Sequence, residues 1–165
     1  MRSITKYAIF AAALAGFGAA TSYGAVTPPS DKDLSKGEWE LNVAKSKFGC
    51  GKPPKVSHRH IVDAGWGMTF VEWTGIQADD KPFETHYVYR YDGQKYPIGI
   101  DRPDAREAII YTLKNPHHID FVHVDKEGNV TSTYYRDIST DGQTMTQSNK
   151  TVGKDCEDLQ VFERR

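Results

Sequence analysis

Short runs of alternating apolar and polar residues, separated by turn-forming residues, recur along this chain and constrain its fold more than any other feature. In the first run, Gly37–Val43, the odd-numbered residues Gly37, Trp39, Leu41 and Val43 alternate with Glu38, Glu40 and Asn42. A period of two places one row of side chains against a core and the other toward water. No stretch shows sustained helical periodicity, and the one candidate for a short helix is 103–108.

The later runs complete an expectation of about nine or ten strands, with a turn every eight to twelve residues. They are 56–62, 68–74, 82–91, 94–100, 107–113, 118–124, 129–138, 143–151 and 159–164. Asp-Gly pairs at 92–93 and 141–142 are hairpin signals, and the turns are too short for parallel crossovers. Consecutive strands usually pair with their neighbours. We therefore predict an all-β domain, an antiparallel up-and-down β-barrel of about eight to ten strands.

The first 24 residues have the pattern of a secretory signal peptide. Arg2 and Lys6 precede an apolar run at 8–20, and small residues follow, so cleavage after Gly24 is expected, with Ser22 and Ala25 as alternatives. The apolar run is shorter than the roughly 20 residues that a membrane span needs. We expect a leader at 1–24, a flexible lead-in at 25–36, a barrel domain at 37–165, and a periplasmic or secreted location.

Charge and cysteine content narrow the partners further. Removing Arg2 and Lys6 with the leader changes the net charge from -1 to -3, which disfavours a nucleic-acid binder. No second apolar stretch is long enough to remain in a membrane, and nothing in the sequence fixes the oligomeric state. Two cysteines in an exported chain predict a Cys50–Cys156 disulfide, with a free nucleophilic thiol as the alternative.

The first strand also carries a family resemblance. Gly37-x-Trp39 at the start of an antiparallel meander resembles the opening motif of the lipocalins and the wider calycin group, and the run 39–48 resembles the opening of secreted bacterial β-proteins. The resemblance implies that Trp39 closes one barrel end and that Arg164, on the last strand, packs over it as a cation–π contact. The lipocalin motif Thr-Asp-Tyr is absent, so the expectation is a calycin-like barrel.

Histidines and a glutamate could form a catalytic cluster if the right strand faces point inward. His58 and His60 share a face of one strand, and Glu72 and His86 lie on the next two. Imidazoles and a carboxylate in a dry cavity can transfer protons or bind a transition metal. On 68–74 either row could point inward, and the bulkier pair Val71 and Trp73 favours the row without Glu72. We assign no metal and no cofactor.

Two further groups could line a ligand pocket. The odd-numbered row on 82–91 contains Tyr87, Tyr89 and Tyr91, whose rings suit either a packed core or the wall of a pocket. Tyr134 and Arg136 share a face of a later strand. An inward Arg can grip a ligand carboxylate, as in the fatty-acid-binding relatives of lipocalins, whereas an outward Arg would pair with an acidic residue.

These features predict an exported protein that binds a small apolar or amphipathic ligand inside its barrel, since a barrel of about eight strands can hold one such molecule. The first alternative is an isomerase, cyclase or hydratase on the same scaffold, using His58, His60, Glu72 and His86. The second is a protein-interaction or inhibitor module that acts through its loops. A cavity lined by aromatic and aliphatic side chains favours binding, and a filled core favours the interaction module.

Overall fold

The computed structural model describes residues 33–98 and 108–165. The expected leader at 1–24, the lead-in as far as residue 32, the end of the 94–100 run and all but the last residue of the helix candidate at 103–108 lie outside these ranges. Within them, no helix is long and apolar enough to cross a membrane.

Eleven strands account for most of the described chain, in agreement with the predicted fold class. They are β1 (Gly37–Leu41), β2 (Lys47–Phe48), β3 (Val56–Gly65), β4 (Met68–Ile76), β5 (Pro82–Tyr89), β6 (Tyr96–Pro97), β7 (Ala108–Asn115), β8 (His118–Val124), β9 (Val130–Ile138), β10 (Thr144–Thr151) and β11 (Glu157–Arg164). The two-residue β2 is too short to show a period of two. The first strand ends at Leu41 because Asn42 caps a 3-10 turn at Val43–Lys45.

The strands form one antiparallel sheet that curls into a nearly closed barrel. Their order is β5-β4-β3-β1-β11-β10-β9-β8-β7-β6, with β2 beside β11. An antiparallel bridge between Tyr87 on β5 and Ile98, just after β6, brings the two ends of this order together. Neighbours in sequence are mostly neighbours in the sheet, as an up-and-down meander requires, and pairing of β1 with β11 joins the chain's two halves.

Alternation along the strands separates a buried interior from a wet exterior. The apolar core contains Trp39, Leu41, Ile61, Val71, Tyr87, Tyr89, Ile109, Tyr111, Ile119, Phe121, Tyr134, Ile138, Met145 and Phe162. On β4, Val71 is buried, and Trp73 faces the guanidinium of the buried Arg59, so the row favoured on bulk is the inward one. Phe70 and Glu72 therefore lie on the outer face.

Trp39 lies in the core beneath Arg164. The indole is fully buried, its Nε1 donates to the Ser35 carbonyl at 2.7 Å, and the Arg164 guanidinium carbon lies 4.2 Å from the ring centroid. Arg164 also donates to the carbonyls of Lys36, Leu34 and Gly142. Gly37 has a φ of +133°, and a Cβ there would lie 2.2 Å from an Arg164 nitrogen, so the glycine of the Gly-x-Trp motif makes room for this arginine.

The expected disulfide joins Cys50, in the loop after β2, to Cys156, just before β11, with the Cα atoms 5.2 Å apart. The separation lies within the usual range for a disulfide. The Cys50 amide also donates to Asp158 Oδ1 at 2.9 Å, which fixes the long loop against the last strand.

Candidate ligand-binding site inside the barrel

A column of stacked aromatic rings fills much of the interior. Tyr89 stacks on Tyr111 at 3.6 Å between centroids, Tyr111 on Phe121 at 4.6 Å, and Phe121 on Tyr134 at 4.6 Å. Burial raises the pKa of Tyr89 and Tyr111 well above the ordinary value, so both hydroxyls stay protonated. The column is packed core over most of its length, and Phe121 and Tyr134 at one end of it line a cavity.

Of the three tyrosines on and just after β5, Tyr87 lines the cavity described below, whereas Tyr89 and Tyr91 belong to the packed end. The Tyr91 hydroxyl donates to Asp33 Oδ2 at 2.7 Å and lies 3.2 Å from that of Tyr89. Desolvation first, and then Asp33, raises the pKa of Tyr91. Asp33 is also engaged by the amide and hydroxyl of Ser35, so its carboxylate is held at this end of the barrel.

Two arginines are buried side by side in the interior, which is the least expected feature of the site. Arg136 is fully buried and Arg59 is 4% exposed. Arg59 Nη1 donates to Gln147 Oε1 at 2.9 Å, and Arg136 Nη2 donates to the same oxygen at 3.2 Å. Within the two described ranges neither arginine forms an ion pair with a carboxylate. In the same part of the chain, Arg59 Nε and Arg136 Nε and Nη1 have no hydrogen-bond partner.

Aromatic faces provide the remaining support for these cations. The Arg59 guanidinium lies 4.8 Å from the ring centroids of both Trp73 and Phe162, and that of Arg136 lies 5.4 Å from the centroid of Phe121. Burial, and then repulsion from Arg136, lowers the pKa of Arg59 to about 10. An arginine remains charged at neutral pH in spite of this shift. Among the described residues, the two positive charges of Arg59 and Arg136 therefore share one neutral acceptor, Gln147.

A cavity of about 70 Å³ lies beside Arg59. Its outer end is formed by the partly exposed Trp73, Thr85, Ile98, Asn149 and Gln160, and its inner end by Arg59, Tyr87, Ile109, Phe121, His123, Tyr134 and Gln147. The buried Asn149 Oδ1 accepts no hydrogen bond from any of the described residues. The volume accommodates a few waters. It is well below the roughly 300 Å³ at which pockets for drug-sized molecules begin.

The predicted ligand-binding residues thus divide into two groups. Tyr87 and Tyr134 line the cavity, and Arg136 donates to Gln147, which also lines it; Tyr89 and Tyr91 lie at the packed end. Arg59 was missed because an arginine between two histidines resembles a surface residue. The available signal was register: Arg59 pairs with Trp39 on β1 and with Trp73 on β4, so it shares their face.

The histidine and glutamate cluster lies on the outside of the barrel. The side chains of His60, Glu72 and His86 are 45%, 40% and 43% exposed, and His58 occupies the adjacent outward position on β3. The interior acid–base site considered for these residues does not form, because the Trp73 row points inward. Three of the four still lie together: Glu72 is within 3.9 Å of His60 and 3.3 Å of His86.

No protein-family model matches the chain, and neither does any curated protein sequence. Solved structures do match. A single-site mutant of the fluorescent protein UnaG aligns with a TM-score of 0.58 and 15% identity, over 80% of this chain and 96% of that one. Fatty-acid-binding protein 1 of Echinococcus granulosus aligns with a TM-score of 0.55 and 17% identity, over 79% and 97%. The fold is that of the calycin-type β-barrels. At sequence identities of 15% and 17%, the similarity shows the fold alone. The ligand has to be inferred from the side chains in this chain's own interior.

Proposed function

We propose that this protein binds a small acidic molecule inside its barrel, with the acid group beside Arg59. The observation that carries the proposal is the pair of buried guanidinium groups sharing one neutral acceptor, Gln147 Oε1. Buried charges in proteins are normally paired, and an unpaired one costs several kcal/mol. An anion in the adjacent cavity would supply the missing partner and would be held by charge-assisted hydrogen bonds.

The rest of the cavity indicates the shape and polarity of the ligand. Trp73, Tyr87 and Phe121 offer aromatic walls, and Asn149 Oδ1 offers an unused acceptor for a ligand hydroxyl or amine. The small volume favours a compact acid, or one whose apolar part extends past the partly exposed outer end. Arg136 lies behind Gln147 and adds positive potential without direct contact.

Native mass spectrometry of the purified protein would identify a co-purifying acid. Titration with matched pairs, such as octanoate against octanol and benzoate against benzyl alcohol, would then measure recognition of the acid group. A change in the intrinsic fluorescence of the three tryptophans would report binding, because the Trp73 ring contacts Arg59. We expect acids to bind at least tenfold more tightly than alcohols, since hydrogen bonds to charged groups contribute about 1.5–3 kcal/mol.

The variant Arg59→Met should abolish the preference for the acid. Arg165→Met is the matched control, because Arg165 lies on the outside of the barrel and pairs with Glu40. Equal affinity for acid and alcohol in the unmodified protein would contradict the proposal, and so would an acid preference that survives Arg59→Met.

We also propose that the protein is exported. The signal-peptide pattern at 1–24 and the Cys50–Cys156 disulfide support this location, because disulfides persist in oxidising compartments. Expression of the full chain in a Gram-negative host, followed by osmotic release and intact-mass measurement, would test it. A periplasmic product that has lost about 24 residues is the expected result, and an unprocessed cytoplasmic chain would contradict it.

A further inference from the structure

Two strand-to-strand pairings place three potential metal ligands in one row on the outside of the barrel. His60 on β3 is directly opposite Glu72 on β4, and Glu72 is directly opposite His86 on β5. Directly opposite residues of an antiparallel sheet have Cβ atoms about 4.5–5.5 Å apart. Glu84, two residues before His86, projects from the same face of β5. The barrel wall thus fixes these side chains on neighbouring strands.

Two of the distances between the donor atoms are close to those around a bound metal. His86 Nε2 lies 3.1 Å from Glu84 Oε1 and 3.3 Å from Glu72 Oε1. One donor atom from each of these three residues falls within 4.8 Å of the others. Ligands about 2.0–2.1 Å from a tetrahedral zinc ion lie roughly 3.3–3.5 Å from one another. Small side-chain movements would place the three donors around one ion.

The charges and neighbours of the cluster also favour a cation. Within the described ranges, the ion-pair partners of Glu72 are His60 and His86, and that of Glu84 is His86, so neither carboxylate is neutralised by a Lys or Arg. Phe70 stacks on the His86 imidazole at 5.8 Å with an interplanar angle of 14°, which restrains the ring. The second oxygen of Glu72 faces His60 Nδ1 at 3.9 Å.

We propose that Glu72, Glu84 and His86 bind a divalent transition-metal ion on the outer face of β4 and β5, with His60 as a positioning residue for Glu72. One imidazole and two carboxylates suit Zn²⁺, Cu²⁺ or Ni²⁺, whereas Mg²⁺ and Ca²⁺ prefer oxygen ligands alone. Water completes the coordination, because the site is open to solvent. The site is separate from the cavity and is independent of the acidic ligand proposed above.

Isothermal titration calorimetry of the untagged full chain with Zn²⁺ would test the site, and the visible absorption of bound Co²⁺ would report its geometry. We expect one Zn²⁺ per chain, with no comparable binding of Mg²⁺. His86→Gln and Glu84→Gln should each weaken Zn²⁺ binding at least tenfold. His60→Gln should weaken it less, because it removes only the residue that orients Glu72. These side chains are exposed, so unchanged thermal unfolding of the variants would show that the fold is intact.

Two histidines serve as controls. His118 on β8 is partly exposed and lies between two carboxylates. Its Nδ1 faces Asp137 and its Nε2 faces Asp120, so the two ring nitrogens contact different acids on opposite sides. His58 lies on the same face as the cluster, one outward position from His60. His118→Gln and His58→Gln should leave Zn²⁺ affinity within twofold of the unmodified protein. Binding weaker than about 1 mM, or an equal loss in either control and in His86→Gln, would overturn the proposal.

Discussion

Replacement of Arg59 by methionine should stabilise the protein while removing its affinity for acids. The pKa of Arg59, lowered to about 10 by burial and by Arg136, corresponds to a penalty of about 3 kcal/mol on its charged form, at about 1.4 kcal/mol per pKa unit. Because the shift is downward, this penalty is fully present below pH 10 and disappears as the pH rises above it. Methionine keeps most of the side chain's length and carries no charge.

The substitution also removes favourable contacts. The cation–π contacts with Trp73 and Phe162 contribute roughly 0.5–1 kcal/mol each. The hydrogen bond to Gln147 contributes about 1 kcal/mol, but Gln147 keeps its bond from Arg136, so no acceptor is left unpaired. Subtracting these contacts from the penalty of about 3 kcal/mol predicts a gain of up to about 1 kcal/mol in the free energy of unfolding, in line with exchanges of buried charges for apolar residues.

Arg59→Lys provides the sharpest comparison. Lysine keeps the buried charge but loses the planar stacking on Trp73 and the guanidinium geometry, so we expect a loss of about 1–2 kcal/mol. Urea unfolding at neutral pH, with the disulfide intact, would measure the free energy of unfolding of both variants. The slope of that free energy against urea concentration should be the same as in the unmodified protein. A gain in the free energy of unfolding for Arg59→Met together with a loss for Arg59→Lys would support the reasoning. A loss above 2 kcal/mol for methionine would refute it, because the Arg59 charge would then be a net source of stability.

Three further predictions follow from other contacts. Trp39→Ala should lower the free energy of unfolding by about 3–5 kcal/mol in urea denaturation, because the ring is fully buried, whereas Trp66→Ala should change it by less than about 0.5 kcal/mol, because Trp66 is 90% exposed. Cys50→Ser opens a disulfide with a sequence separation of 106 and should lower the same quantity by about 2–5 kcal/mol. The hydrogen bond between His118 and Asp137 raises the pKa of His118 in the folded protein. The protonated His118 therefore stabilises the fold fully below its pKa in the unfolded chain, and this stabilisation is lost as the pH rises through its pKa in the folded protein. An Asp137→Asn variant should consequently lose more free energy of unfolding at about pH 5.5 than at about pH 9.

Strand positions and fold class could be predicted because side-chain alternation and turn residues are local signals. The interior face could not be predicted equally well on every strand. On β4, Phe70 lies on the outer face, opposite Val62 and Val88, so an apolar row covers part of the outside as well. When both rows of a strand are apolar, alternation alone does not distinguish them. The bulk of Val71 and Trp73 indicated the correct row.

The interior of the site was harder to predict because it departs from the usual rules of burial. Arg59 and Arg136 are buried without an acidic partner among the described residues, although arginine is rarely buried unless paired. Arg136 could be proposed only through resemblance, and Arg59 only through its pairing with Trp39 and Trp73, which requires the register of β1, β3 and β4. Local patterns therefore identify the barrel, and long-range pairing determines which charges lie inside.

The burial of Arg59 without an acidic partner in the described part of the chain is also the strongest link between the structure and a function. A methionine or leucine at this position would pack against Trp73 and Phe162 without a buried charge, so stability alone gives no reason for a guanidinium there. Sites that bind ligands often reduce the stability of the free protein, because their polar groups lack partners until the ligand arrives. An anion that pairs with Arg59 would stabilise the folded state in proportion to its binding free energy. Stabilisation by acids should therefore be greatest in the unmodified protein and absent from Arg59→Met.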